Sequence, residues 1–253
     1  MAERVNIVAL DLSHFKSVIN LFCTEYKSNE PLSKEISVDN DLTEISMKII
    51  KNSLSNCVSA VAVDEQESVI GFLLASRHNE DDKFDFNFIS KLSICKTMSR
   101  LLEELHSTVD IRGTIACNTF LYITDLCVSE HYRGKGIALK LINKSIELGR
   151  EHKLQGAVAE CTSDLSKHVF TKLGFQEYGR ILPSDFKRYK KHYPKETIDN
   201  AKHQVTSKTT WWGECNVKIS NVISMYILFD YPKRNNRQRK PSSYLENYLV
   251  GRM

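Results

Sequence analysis

The chain predicts a mixed α/β fold with antiparallel hairpins and a parallel crossover. Three observations carry this expectation. Apolar runs of strand length alternate with stretches whose apolar residues recur at i, i+3, i+4 and i+7. A short acidic turn joins two of the runs, Val58 to Val63 and Val69 to Ser76, as in a hairpin. A third run, Leu121 to Val128, leads through a glycine turn into a helical pattern and then another short run, as a parallel crossover does.

Val5 to Leu10 reads as the first strand. Phe15, Val18, Ile19 and Phe22 predict a helix from Ser13 to Tyr26. Ser28-Asn29-Glu30-Pro31-Leu32-Ser33 breaks it, because the residue before a proline resists helical dihedrals. Leu42, Ile45, Ile49 and Ile50 mark a second helix, and the hairpin follows. Asn79 to Asp85 is rich in acids and reads as a loop. Leu92, Cys95, Met98, Leu101, Leu102 and Leu105 repeat helically, and Val109 to Asn118 connects them to the strand Leu121 to Val128. The next helix carries Leu139, Leu141, Ile142, Ile146 and Leu148, and Gln155-Gly156 stops it after Lys153. Ala157 to Cys161 is a short buried strand. Ser166 to Leu173 is a short helix closed by Gly174, and Phe175 to Leu182 is a strand. Residues 183 to 220 are polar and basic and include Trp211 and Trp212; Val222 to Tyr231 is the last strand.

With 253 residues the chain fits one domain, residues 1–232, with a polar insertion at 183–220 and a basic C-terminal tail at 233–253. The tail holds Lys233, Arg234, Arg237, Arg239, Lys240 and Arg252 against Glu246, a charge of +5. The whole chain carries +4, so the body is near neutral and no nucleic acid is expected to bind it. The tail reads as a solvated basic segment, with RNA, an acidic partner or a membrane surface as the alternative contacts. No apolar stretch approaches the ~20 residues that span a bilayer. The start, Met-Ala-Glu-Arg-Val-Asn, has no secretory layout. Seven scattered cysteines without a Cys-x-x-Cys predict neither a disulfide framework nor a metal site, and the expected location is cytoplasmic.

Arg133-Gly134-Lys135-Gly136-Ile137-Ala138 is the stretch that carries chemistry. Strand, glycine turn and helix make a phosphate-binding arrangement. Glycines allow close backbone approach, and a helix start offers N–H groups and a positive dipole end. The chain has no Gly-x-x-x-x-Gly-Lys-Ser/Thr, and Leu139 stands where a dinucleotide fingerprint needs its third glycine. The Arg/Gln-x-x-Gly-x-Gly/Ala pattern resembles the pyrophosphate loop of the GNAT superfamily of N-acetyltransferases, which use acetyl-CoA. The resemblance implies a GNAT-type mixed central sheet with helices on both faces, and an acyltransferase. It implies that Arg133, Gly134, Lys135, Gly136, Ile137 and Ala138 cradle the pyrophosphate of acetyl-CoA, and that the backbone of Leu126, Cys127 and Val128 runs beside its pantetheine arm.

Acetylating an amine requires removing a proton. An amine of pKa near 10 is neutral in about one molecule per thousand at pH 7, a penalty of about 4 kcal/mol. Phe22 through Leu32, ending in Asn-Glu-Pro-Leu, resembles a segment of insect-type arylalkylamine (dopamine) N-acetyltransferases, whose glutamate is the general base. The carry-over falls on Glu30, which is otherwise an exposed loop acid. Lys172-Leu173-Gly174-Phe175 resembles the fourth-helix signature of the superfamily, but Phe170 replaces its tyrosine acid. The insect-type family carries two serines four apart, at the positions of Thr162 and Ser166 here. Ser166 is a proton donor or site organiser, or else a helix cap. His168 and Tyr178 are secondary candidates for the acid, and Asp125 reads as structural or solvated. Cys127 and Cys161 lack a His/Asp partner for an acyl-cysteine route, so the amine attacks directly in a ternary complex. The expected acceptor is a small primary amine, an arylalkylamine. Alternatives are a polyamine, an amino acid, a protein amine, or acetyl-CoA binding without turnover. Trp211 and Trp212 either wall an aromatic pocket or anchor the insertion.

Overall fold

A computed structural model describes residues 4–30, 43–79, 105, 117–181 and 222–228. Among the described residues seven strands form one sheet in the order β1-β2-β3-β4-β5-β7-β6. They are β1 Asn6–Ala9, β2 Ala60–Val63, β3 Val69–His78, β4 Phe120–Val128, β5 Gly156–Cys161, β6 Gln176–Ile181 and β7 Val222–Leu228. Only β4 and β5 pair in parallel; the other neighbours are antiparallel. The main described helices are α1 Phe15–Leu21, α2 Thr43–Asn56, α3 Ile137–Glu151 and α4 Asp164–Lys172. The mixed sheet with helices on both faces is the architecture expected from the sequence.

The two faces have separate cores. On one, Ile137, Leu141, Ile142 and Ile146 of α3 and Phe170 of α4 pack against Ala60, Ala62, Leu73, Ala75, Leu121 and Ile123. On the other, Val18, Leu21 and Ile50 from α1 and α2 pack against Val61, Val63, Phe72 and Leu74. Strands covered on both faces need apolar residues at every position, hence the unbroken runs of β2 and β3. Edge strand β1 is largely exposed.

Two helices differ from their expected bounds. The first extends beyond Tyr26: α1 continues through a π-helical turn, Phe22–Tyr26, into a last turn, Lys27–Asn29. Glu30 then leaves the helix at φ −70, ψ 123, the extended geometry that Pro31 imposes on its predecessor. The second, α4, starts at Asp164 because Ser163 caps it: Ser163 Oγ accepts from Ser166 N, and Ser166 Oγ accepts from Ser163 N. Of the helix expected over Leu92 to Leu105, Leu105 alone is described, and it is buried. The 183–220 insertion, Trp211, Trp212 and the tail lie outside the described residues. Among the described residues no helix is long and apolar enough to cross a membrane.

Candidate active site

The site is built where two strands part. β4 and β5 pair over Phe120–Ile123 and Gly156–Ala159. Beyond that, β4 runs on to Val128 against β3, and β5 to Cys161 against β7. Leu126, Cys127 and Val128 therefore edge an opening into the sheet. Alternate backbone groups on that side of β4 have no β5 partner.

A β-bulge sets what faces the opening. Asp125 pairs with Leu74 and Ile123 with Ala75, so Thr124 is the extra residue in β4. The bulge shifts the alternation by one. Leu126 and Val128 join Leu121 and Ile123 on the α3 face. Asp125 is thereby turned, with Cys127 and Tyr122, toward the α1 face.

The glycine loop stands at the end of β4. Gly134 and Gly136 both have φ +76, the left-handed region that suits glycine. A Cβ built on either meets nothing within 4 Å, so the outer side of the loop is open. Gly136 is the N-cap of α3 and brings no side chain over the first turn. Ile137 is buried in the core, and Ala138 is half-buried behind it. Lys135 Nζ lies 4.9 Å from the centre of the Tyr132 ring. Arg133, expected at the pyrophosphate, is held by protein partners. Its Nε donates to Val128 O at 2.9 Å, and its guanidinium pairs with Glu25 at 3.2 Å. Glu25 also accepts from Ser129 Oγ at 3.2 Å. The arginine fastens the loop to the π-helical turn.

Tyr26 of that turn meets two buried acids, Asp125 and Glu30. Tyr26 is half-buried, its ring centre 4.6 Å from that of Phe22 and 6.2 Å from that of Phe72. Its phenol bonds to the Asp125 carboxylate; burial chiefly, then Asp125 and Glu30, push its pKa well up. Glu30 is 8% exposed, and its N–H donates to Tyr26 O at 2.8 Å. Asp125 is 9% exposed. Burial pushes its pKa up to about 6, against hydrogen bonds from Thr124 and Tyr26 and with help from the Glu30 charge.

Thr162 directly follows β5, on the other side of the opening, and is half-buried. Ser166 Oγ donates to Ser163 O at 2.9 Å and bonds to the Cys161 thiol, which favours organiser and cap over free proton donor. Phe170 is core, edge-on to Phe175 at 4.9 Å, and His168 is exposed. Burial pushes the thiols of Cys127 and Cys161 up to about 12, which keeps them protonated at neutral pH and unsuited to nucleophilic attack. Tyr178 packs beside Phe120 and Tyr122, and Tyr122 bonds to Glu160.

Sequence reasoning missed Glu25, Tyr26 and Asp125. Phe22, Tyr26 and Glu30 stand four apart, a helical face that was visible in the sequence. The turn of Asp125 toward them depends on the bulge, which leaves no local signal.

The profile of the acetyltransferase (GNAT) family matches residues 15–175, and the chain belongs to that family and is an N-acetyltransferase. Among solved structures it is similar to arylalkylamine N-acetyltransferase 2 from Aedes aegypti, at 18% identity and TM-score 0.72, covering 90% of this chain and 100% of that one. It is also similar to a Drosophila melanogaster polyamine N-acetyltransferase that forms N-acetylagmatine, at 14% identity and TM-score 0.68, covering 89% and 100%. A mosquito arylalkylamine N-acetyltransferase, like 5b, follows at 17% identity and TM-score 0.67, covering 89% and 100%. At such identities the likeness shows the fold alone.

Proposed function

We propose that the chain moves the acetyl group of acetyl-CoA to a small primary amine, an arylalkylamine, by direct attack in a ternary complex. The observation that carries this reading is the opening between β4 and β5, with the glycine loop at one end and buried Glu30 beside it. The residues fit the coenzyme. The open outer side of Gly134 and Gly136 leaves room for a pyrophosphate against backbone N–H groups, including those of Ile137 and Ala138. Lys135 adds positive charge there, and Arg133 keeps the loop in place. The unpaired side of Leu126, Cys127 and Val128 suits the amides of a pantetheine arm. Bound there, acetyl-CoA supplies an activated thioester.

Glu30 takes the proton from the amine. Thr162 and Ser166 organise the far wall, where the thiolate departs. Tyr26, half-buried and packed over the core rings of Phe22 and Phe72, gives the acceptor side an aromatic ring, which supports an arylalkylamine. The acids Asp125 and Glu160 near the same opening favour a second reading, a polyamine.

A thiol-release assay with acetyl-CoA and dopamine, tyramine, tryptamine, spermidine, lysine and a short peptide separates these. Fastest turnover of the aromatic amines is expected; a strong preference for the peptide sinks the arylalkylamine reading. Glu30→Gln is expected to lower turnover at neutral pH by roughly 100-fold or more while acetyl-CoA still binds. Full activity in that variant removes Glu30 as base.

A further inference from the structure

We propose that Asp125 is a second carboxylate of the acceptor site: with Glu30 it holds the incoming amine as its ammonium ion and shares the removal of its proton. This deepens the acetyl-transfer reading and rests on it.

Position is the first support. Asp125 lies two residues past Ile123, the last β4 residue paired with β5, so it stands at the opening itself. The bulge at Thr124 is what turns it to the α1 face. Were β4 regular through Thr124, the alternation would send Asp125 under α3, into an apolar core.

Charge is the second. A buried carboxylate is normally matched by a cation or neutralised. Among the described residues no lysine, arginine or histidine pairs with Asp125. The titratable groups that face it are Tyr26 and Glu30 from the helical segment, and Tyr122 and Cys127 along β4. None of these is a cation. An alkylammonium entering the opening supplies the missing positive charge, and a neutral amide or alcohol does not. With its carboxyl pKa near 6, Asp125 is mostly ionised at neutral pH and close to the range where a base exchanges protons readily.

The proton balance is simple. The ammonium gives one proton to the carboxylate pair, and the freed nitrogen attacks the thioester carbonyl. The C–N bond forms and the C–S bond breaks. The second proton leaves nitrogen, the thiolate is protonated, and the net products are amide, thiol and one proton released to water. Tyr26 acts through Asp125 and is a positioning residue.

The test is steady-state kinetics on the full chain against pH, at saturating acetyl-CoA, with tyramine and spermidine as probes. Asp125→Asn is expected to lower kcat/KM for the amine roughly tenfold or more. It is also expected to shift the acid limb of the profile and leave the KM for acetyl-CoA within about twofold. Tyr26→Phe removes a hydrogen bond that favours the carboxylate, so it moves the acid limb upward. An unchanged KM for acetyl-CoA reports that each variant is folded. If the wild type is active and both variants keep its rate and pH profile, the role of Asp125 is overturned and the acetyl-transfer reading stands. A wild type that acetylates neither amine overturns both.

Discussion

Asp125 shows how a single residue can be held against the interest of the fold. Its pKa rises on folding from 3.8 to about 6, so between those values the native chain holds a proton that the unfolded chain has lost. Stability therefore falls as pH climbs through that window and stays lower above it. At about 1.4 kcal/mol per pKa unit the loss at neutral pH is on the order of 2–3 kcal/mol. Asn keeps an acceptor for Tyr26 and carries no charge to bury. Asp125→Asn is expected to resist urea better than wild type near neutral pH, with the difference shrinking toward about pH 4. Equal midpoints at both pH values would contradict a buried, ionised Asp125. More stable and less active is the combination a functional carboxylate gives. Glu30 and Asp125 thus differ in legibility. Glu30 sits in a local string that resembles a known segment, whereas nothing within four residues of Asp125 tells it from a solvated strand acid.

At the scale of elements, the segment from Phe22 to Glu30 ties the two halves of the site together. π-helical turns are rare and concentrate at functional sites. This one sends Glu25 to the glycine loop, where it meets Arg133 and Ser129, and Tyr26 to Asp125. The Glu25–Arg133 pair is partly exposed, with side chains 23% and 39% accessible, so its net worth is about 1 kcal/mol. Glu25→Ala is accordingly expected to raise the KM for acetyl-CoA by about fivefold and leave kcat nearly unchanged. A lowered kcat at unchanged KM would show that Glu25 serves the acceptor side instead. The sequence located this helix and its proline stop but ended it at Tyr26. Hydrophobic spacing marks which residues are buried, and it does not register an i→i+5 turn that leaves the apolar face intact.

Over the whole molecule, the opening proposed for the coenzyme sits between the two cores. The glycine loop joins the α3 core through Ile137, and Tyr26 packs on the α1 core with Asp125 and Glu30 beside it. A ligand in the opening contacts both and should stabilise the native state, by about 2.7 kcal/mol at a concentration one hundred times its Kd. Acetyl-CoA is expected to raise the melting temperature of the wild type. Gly136→Val puts a β-branched residue at φ +76 and a side chain in the open cradle, so the shift should disappear. A full shift in that variant would refute the loop assignment.

The sequence by itself determined the described strands, the described helices to within a few residues, the parallel crossover and the glycine loop. Each is written in neighbouring residues: period-two or helical spacing, a proline stop, glycines where φ must be positive. Tertiary structure alone decided that β4 and β5 part after Ile123 and Ala159, that Arg133 turns to Glu25, and that Asp125 faces Tyr26 and Glu30. Those choices depend on strand register and on partners about a hundred residues apart, and a bulge of one residue reverses the face without changing the composition of the strand.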